Sequence, residues 1–279
     1  MIIDAHQHFW QLDRGVYDWI DDSIAGLRRD FLPHHLEPYL KPLGIDGTIL
    51  VQASETVTEN EFLLNTAEAS GCVRGIVAWL DLAAPNAVSE LERLSEIPLV
   101  KGVRPVLQGI EDTNWVLRRE VLEALRHLPG LGLRFDALIV PRHLTAIAEL
   151  ADRLPDLSIV VDHAAKPIIA NRARPDAHWK HGMARLAGID SIHCKISGIA
   201  FEQGRGWTTA GLQPVADHLL ETFGPHRLMW GSDWPVLEHV GSYIQWFDSV
   251  NQMISGCDAR GRAAILGETA TAFYDLETT

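Results

Sequence analysis

Eight short apolar runs, rich in β-branched residues, recur along the chain with room for a helix between them. This recurrence limits the fold more than any other feature. The runs are MIIDAH (1–6), DGTILVQA (46–53), VRGIVAWLD (73–81), LVKGVRPV (99–106), GLGLRFDAL (130–138), LSIVVDHAA (157–165), IHCKISG (192–198) and RLMWGSDWP (227–235). Between them lie NEFLLNTAEAS (60–70), AVSELERLSEI (87–97), REVLEALRHL (119–128), PRHLTAIAELADRL (141–154) and LQPVADHLLETF (212–223). In these stretches apolar residues recur at i, i+3 and i+4, the spacing of a helix with one buried face. Strands alternating with helices build parallel βαβ units. Eight such units in 279 residues match a (β/α)8 barrel, which typically takes about 250 residues. The sequence therefore predicts an α/β fold, a single (β/α)8 TIM barrel spanning residues 1–279. A doubly wound sheet is the alternative topology. No GxGxxG or GxxxxGK[ST] follows any run, so the phosphate-cradling signatures of its nucleotide-binding forms are missing.

A barrel of this kind carries its reactive groups at the C-terminal ends of strands and in the loops that follow. The first run leads into His6 and His8. Gln52 ends the second, Arg104 the fourth, and Asp136 lies near the end of the fifth. Asp162 and His163 end the sixth, Lys195 and Ser197 the seventh, Ser232 and Asp233 the eighth. Side chains alternate along a strand, so Asp4, His6 and His8 are expected on one face. Two imidazoles there, with His163 and Asp233 at the same mouth, suit one divalent metal ion, zinc foremost, with positions left for water and substrate. Without a metal, the imidazoles can polarise a carbonyl as hydrogen-bond donors while Asp233 acts as general base. The residues alone leave both alternatives open.

The net charge of −13 disfavours nucleic acid and anionic membrane surfaces, which call for a basic footprint. No apolar run reaches the ~18 residues of a membrane span. Asp4, His6 and His8 within the first eight residues are unlike a signal peptide. The three cysteines, Cys72, Cys194 and Cys257, are far apart and form no CxxC, which points to reduced thiols in a cytoplasmic protein. The expected partner is a small molecule.

The segments DAHQHFW, VVDHAAKP and MWGSDWP, in that order, resemble the amidohydrolase superfamily. Within it they resemble the amidohydrolase-2 branch, which includes the sugar-acid lactonases. The opening DAHQHFWQLDRGVYDWI and the terminal AFYDL carry the likeness from Met1 to the last helix. It is nearest to L-fuconolactonases and L-rhamnonolactonases. The resemblance implies a distorted (β/α)8 barrel that opens a sugar 1,5- or 1,4-lactone to its hydroxy acid, in sugar catabolism such as that of L-fucose. It implies His6, His8 and His163 as the imidazole set. Asp233 is then the group that activates water and passes a proton to the leaving oxygen. A metal-dependent decarboxylase of the same superfamily is the alternative activity. Many amidohydrolases hold two metals through a strand-4 lysine or glutamate and a strand-5 histidine. Here Lys101 lies on the opposite parity to Arg104, and GLGLRFDAL contains no histidine. One metal at most is expected, and some lactonases of this branch work with none.

Substrate contacts are expected from Arg104, through its donor fork, and from Gln52. Trp10, two residues past His8, and Trp207, in FEQGRGWTTAG, are expected to wall the pocket. Lys166 in HAAKP reads as structural, and Tyr17 and Trp19 as packed parts of the first loop.

Overall fold

Each apolar run contributes one strand. The computed structural model describes residues 1–169 and 174–277. Its strands are β1 (Ile3–Gln7), β2 (Gly47–Val51), β3 (Val73–Ala78), β4 (Val100–Val103), β5 (Arg134–Ala137), β6 (Ile159–Val161), β7 (Ile192–Ile196) and β8 (Leu228–Trp230). They pair in parallel, in chain order. The ring closes where Asp233 N donates to His6 O at 2.8 Å and His8 N donates to Trp234 O at 2.7 Å. The chain thus forms the expected (β/α)8 barrel. The strands are shorter than the runs that announce them, because the chain leaves the wall early to build the loops above it.

Helices cover the outside: α1 (Pro33–Leu40), α2 (Val57–Glu68), α3 (Ala87–Ser95), α4 (Arg119–His127), α5 (Leu144–Arg153), α6 (Ala177–Ala187), α7 (Ile199–Gln203), α8 (Thr209–Phe223) and α9 (Tyr243–Met253). In α4 the buried face is Val121, Leu122, Ala124 and Leu125, as its periodicity requires. Side-chain caps fix several starts. Asp176 accepts from Trp179 N, Thr208 from Gly211 N and Ser242 from Gln245 N, each meeting an amide the first turn leaves without a partner.

The barrel interior has two levels. Low in it, Ile3, Ala5, Ile49, Val51, Val77, Val160 and Met229 pack against Ala270, Phe273, Tyr274 and Leu276 of the C-terminal segment. That segment closes the lower end of the barrel. It approaches β1 so closely that a Cβ on Gly267 would lie 2.2 Å from Met1 O. Lys101 Nζ donates to Asp275 O at 3.1 Å at this end, away from the mouth. Above this apolar layer the interior becomes ionic. Tyr274 donates its hydroxyl to Asp136 Oδ2 at 2.7 Å. Lys195 bridges Asp136 and Asp162, all three fully buried.

The alternation expected for Asp4, His6 and His8 does not hold. The β1–β2 register shifts between Asp4 and Gln7, and one extra residue in β1 reverses the faces beyond it. Asp4 faces the outer layer, where it accepts from Ser232 N and from the Tyr243 hydroxyl, each at 2.8 Å. His6 and His8 alone reach the mouth.

Candidate active site

At the C-terminal end of the strands a cavity of about 600 Å³ opens. His8, Gln52, Arg104, His163 and Asp233 line it. His6 is fully buried and does not line the cavity itself; it lies against the lining residues His8 and Arg104. The four residues of the expected constellation converge. His6 Nε2 and His8 Nε2 are 3.2 Å apart. Asp233 Oδ1 lies 3.4 Å from His8 Nε2, 3.7 Å from His163 Nε2 and 3.9 Å from His6 Nε2.

The surroundings fix how these groups present themselves. His8 Nδ1 lies 2.8 Å from Val51 O. A carbonyl only accepts, so Nδ1 carries the proton and Nε2 turns a lone pair to the cavity. There it faces the carboxylate of Asp233, also an acceptor. Two acceptors in contact call for a proton or a cation between them. His6 Nδ1 lies 3.3 Å from Asp162 Oδ1, the carboxylate–histidine pairing common behind metal-bound imidazoles. Bonds of about 2.0–2.1 Å to a tetrahedral ion set ligand atoms about 3.3 Å apart. The His6–His8 and His8–Asp233 separations match that edge. His6, His8 and Asp233 form one group able to hold a metal ion, and His6, Asp162 and His163 another. The donor set fits a single divalent ion.

Burial governs the protonation states. It pushes His163 down to about 4, outweighing the nearby Asp233 and Asp162 carboxylates. It holds His6 well below its ordinary value as well. Both rings are therefore neutral near pH 7. Burial alone would raise Asp233, but the imidazoles around it, His163 foremost, hold it below the usual carboxylate range. Asp233 is a carboxylate at neutral pH.

Two of these residues sit in unusual backbone. His163, Ala164, Ala165 and Lys166 form a left-handed turn with φ of 53°, 51°, 56° and 50°, and Asp233 has φ 57°. Each such non-glycine residue costs roughly 1–2 kcal/mol. The turn is held by Lys166 N donating to His163 O at 2.8 Å and by Trp179 Nε1 donating to Ala164 O at 2.7 Å. Beside it, Gly198 (φ 65°) leaves room for the imidazole, since a Cβ there would lie 2.6 Å from His163 Nδ1. His163 Nδ1 also pairs with Ser197 Oγ at 2.9 Å.

The predicted substrate contacts divide. Gln52 and Arg104 lie on the cavity wall. The Gln52 amide donates to Arg104 O at 2.9 Å, and its Oε1 is buried with no protein partner. Arg104 is committed inward: Nη1 lies 3.3 Å from both Asp162 Oδ2 and His6 Nε2, and Nη2 donates to Gln52 O. Trp10 and Trp207 do not line the cavity. Trp10 is fully buried behind Trp19, 5.4 Å between ring centroids, and its Nε1 donates to Arg29 O. It lies in a paired segment, Trp10 with Phe31, that seats the first loop. Trp207 packs edge-on against Trp246, 5.9 Å away.

In their place stand residues of which the sequence singled out only Trp19, as packing, and Lys166, as structural. Val16, Asp18, Trp19, Asp21 and Ile24 of the first loop form one wall. Trp19 is 41% exposed, with Nε1 donating to Ala53 O at 2.7 Å. Arg14 pins this loop to α2 by an ion pair to the buried Glu59 at 2.6 Å. Glu55, Lys166 and Glu202 also line the cavity. An aromatic beside Asp18 and two residues before Asp21, in the loop after β1, was the available signal for Trp19.

A parallel barrel with a histidine pair at the end of its first strand, a histidine after its sixth and an aspartate after its eighth defines a metal-capable class of TIM barrel. The amidohydrolase family model matches residues 3–276, and the chain belongs to that family. It is 37% identical to an L-fucono-1,5-lactonase of Burkholderia ambifaria, over 99% of this chain and 96% of the relative. An L-fucono-1,5-lactonase of Burkholderia multivorans is 32% identical over 98% of this chain and 96% of its own length. The crystal structure of an amidohydrolase from Burkholderia multivorans with bound zinc superposes with a TM-score of 0.93 at 31% identity, covering 99% of this chain and all of that one.

Proposed function

We propose that the protein hydrolyses the ring ester of a neutral sugar lactone, L-fucono-1,5-lactone or a close aldonolactone, to the hydroxy acid. The observation that carries this reading is the charge of the cavity. Among the described residues lining it, each cation faces a carboxylate: Arg104 faces Asp162 and Lys166 faces Glu202. Asp18, Asp21 and Glu55 add negative charge. Apart from an ion held by the histidines, a carboxylate-bearing substrate, as a decarboxylase requires, finds no side-chain cation there without a facing carboxylate. A neutral polyhydroxy lactone is compatible with this field. The acid it becomes carries charge of the same sign as the walls, which favours release.

His6, His8 and Asp233 would hold one divalent ion, with His163 beside them, and zinc suits this nitrogen and oxygen set. Such an ion supplies carbonyl polarisation and a more acidic water. The chain's own groups do the rest. Asp233 accepts a proton from water as its oxygen attacks the carbonyl carbon. With Ser197 donating to Nδ1, His163 turns Nε2–H to the oxyanion that forms. Asp233 then returns the proton to the ring oxygen as the C–O bond breaks. Gln52 Oε1, buried and without a partner, is placed to accept from a substrate hydroxyl. We take residues 1–279 as one catalytic domain. No helix among the described residues is long and apolar enough to cross a membrane, and the unpaired cysteines support a cytoplasmic location.

The test is a pH-indicator assay of chelator-treated protein against L-fucono-, L-rhamnono-, D-galactono- and D-arabinono-lactones, with and without added Zn²⁺. Acid release well above the spontaneous rate is expected. Silence across the panel, together with CO₂ release from aromatic acids, would overturn the reading. Zn²⁺ should also raise the thermal midpoint of the chelated protein, and this rise should vanish in His8→Asn.

A further inference from the structure

The left-handed turn delivers a second side chain to the cavity besides His163. Lys166, its last residue, lines the cavity, and its Nζ lies 3.5 Å from Glu202 Oε1. Glu202 belongs to α7, which starts directly after Gly198. Both partners are thus registered to His163, Lys166 through the turn and Glu202 through the glycine against which the imidazole rests. The two side chains are about four-fifths and three-quarters buried, and among the described residues neither makes another side-chain hydrogen bond. Burial raises Glu202, and Lys166 opposes that rise.

The 3.5 Å separation is longer than the ~2.7–2.9 Å of a tight charge-assisted bond, and both residues line the cavity, so the pair has hydrogen-bonding capacity to offer a ligand. A hydroxyl both accepts and donates. It can take a hydrogen bond from Lys166 Nζ while giving one to Glu202 Oε1. The pair carries no net charge, so it rewards hydroxyls without recruiting carboxylates. We propose that Lys166 and Glu202 form a hydroxyl-reading pair, a specificity element that binds a ring hydroxyl of the lactone beside the reacting carbonyl. This rests on the lactonase reading.

The test measures kcat and KM of wild type, Lys166→Met and Glu202→Gln on the aldonolactone the wild type hydrolyses best. The hydroxyl-free δ-valerolactone serves as second substrate or competing inhibitor. Loss of a charge-assisted hydrogen bond made equally in ground and transition states should raise KM about tenfold or more, with kcat within about threefold. The behaviour of δ-valerolactone should be unchanged. An unchanged KM for the aldonolactone, or an equal loss on both lactones, overturns the proposal, because the pair then serves the fold or the chemistry. Glu202→Gln keeps the size of the side chain and decides the matter if Lys166→Met does not fold. Wild type inert toward every lactone defeats the lactonase reading instead, a result visible before any variant is made.

Discussion

Asp233 is held ionised by the imidazoles around it, against the effect of its burial, and its removal should be felt in the chemistry rather than the fold. Asp233→Asn keeps the size and the backbone contacts and deletes the proton acceptor. It should cut kcat on the lactone by about 10²–10⁴ with little change in thermal midpoint. Near-wild-type turnover would remove Asp233 from its role. Gly198→Ala makes a different test. Its Cβ would sit 2.6 Å from His163 Nδ1, in backbone with φ 65°. About 1–2 kcal/mol of stability should go to backbone strain alone, seen in denaturant melts, and kcat should fall because the imidazole is displaced. His6, His8, His163 and Asp233 were legible because chemistry restricts which residues can occupy strand ends. Lys166, Glu202 and Trp19 were not. Lysine, glutamate and tryptophan also make ordinary surfaces and loops, and only the fold shows that these three line one cavity. Trp10 and Trp207 show the converse error: nearness in sequence to the site, without a signal for which way the ring turns.

At the scale of elements, the strands were the clearest part of the sequence. Eight apolar runs announced β1 to β8, although each is shorter than its run. The β1 bulge was invisible, since one inserted residue leaves no mark in composition, and it reversed the expected place of Asp4. Helix α9 carries Tyr243, Trp246, Phe247 and Val250 at helical spacing on its buried face, a stripe as clear as that of α4 that the sequence reading left out. In α6 the buried Trp179, Met183 and Leu186 are separated by His181, Gly182 and Arg185, which weaken the stripe. The C-terminal segment gives the element-scale prediction. Tyr274→Phe removes one donor from buried Asp136 and leaves Lys195 as its remaining partner. It should cost about 1–3 kcal/mol, read from the denaturant midpoint. No loss would mean that the hydroxyl contributes nothing to the ionic layer.

The molecule as a whole should lose stability in acid, and His193 shows the sign. It shares the inward face of β7 with Lys195, at the lower end of the barrel, its ring 4.8 Å from Phe273. Burial, aided by the Arg227 charge, pushes it down to about 4. Below an ordinary value of about 6.5 the unfolded chain takes a proton that the native protein refuses. Stability is therefore lost as pH falls from about 6.5 towards 4. His193→Gln should recover about 2 kcal/mol at pH 4.5 relative to its effect at pH 7, measured by urea unfolding at both values. An identical effect at both would mean the imidazole titrates normally. Activity at pH 7 should not change, since His193 lies away from the mouth. The contact between Gly267 and Met1, and the filling of the barrel by Ala270 to Leu276, also set an order of events in time. The first strand leaves the ribosome long before the segment that must pack beneath it. At about 5–20 residues per second, the gap is on the order of ten seconds to a minute. Throughout it β1, with both its histidines, waits on an unfinished wall, and competence arrives only once Ala270 to Leu276 have emerged to pack beneath it.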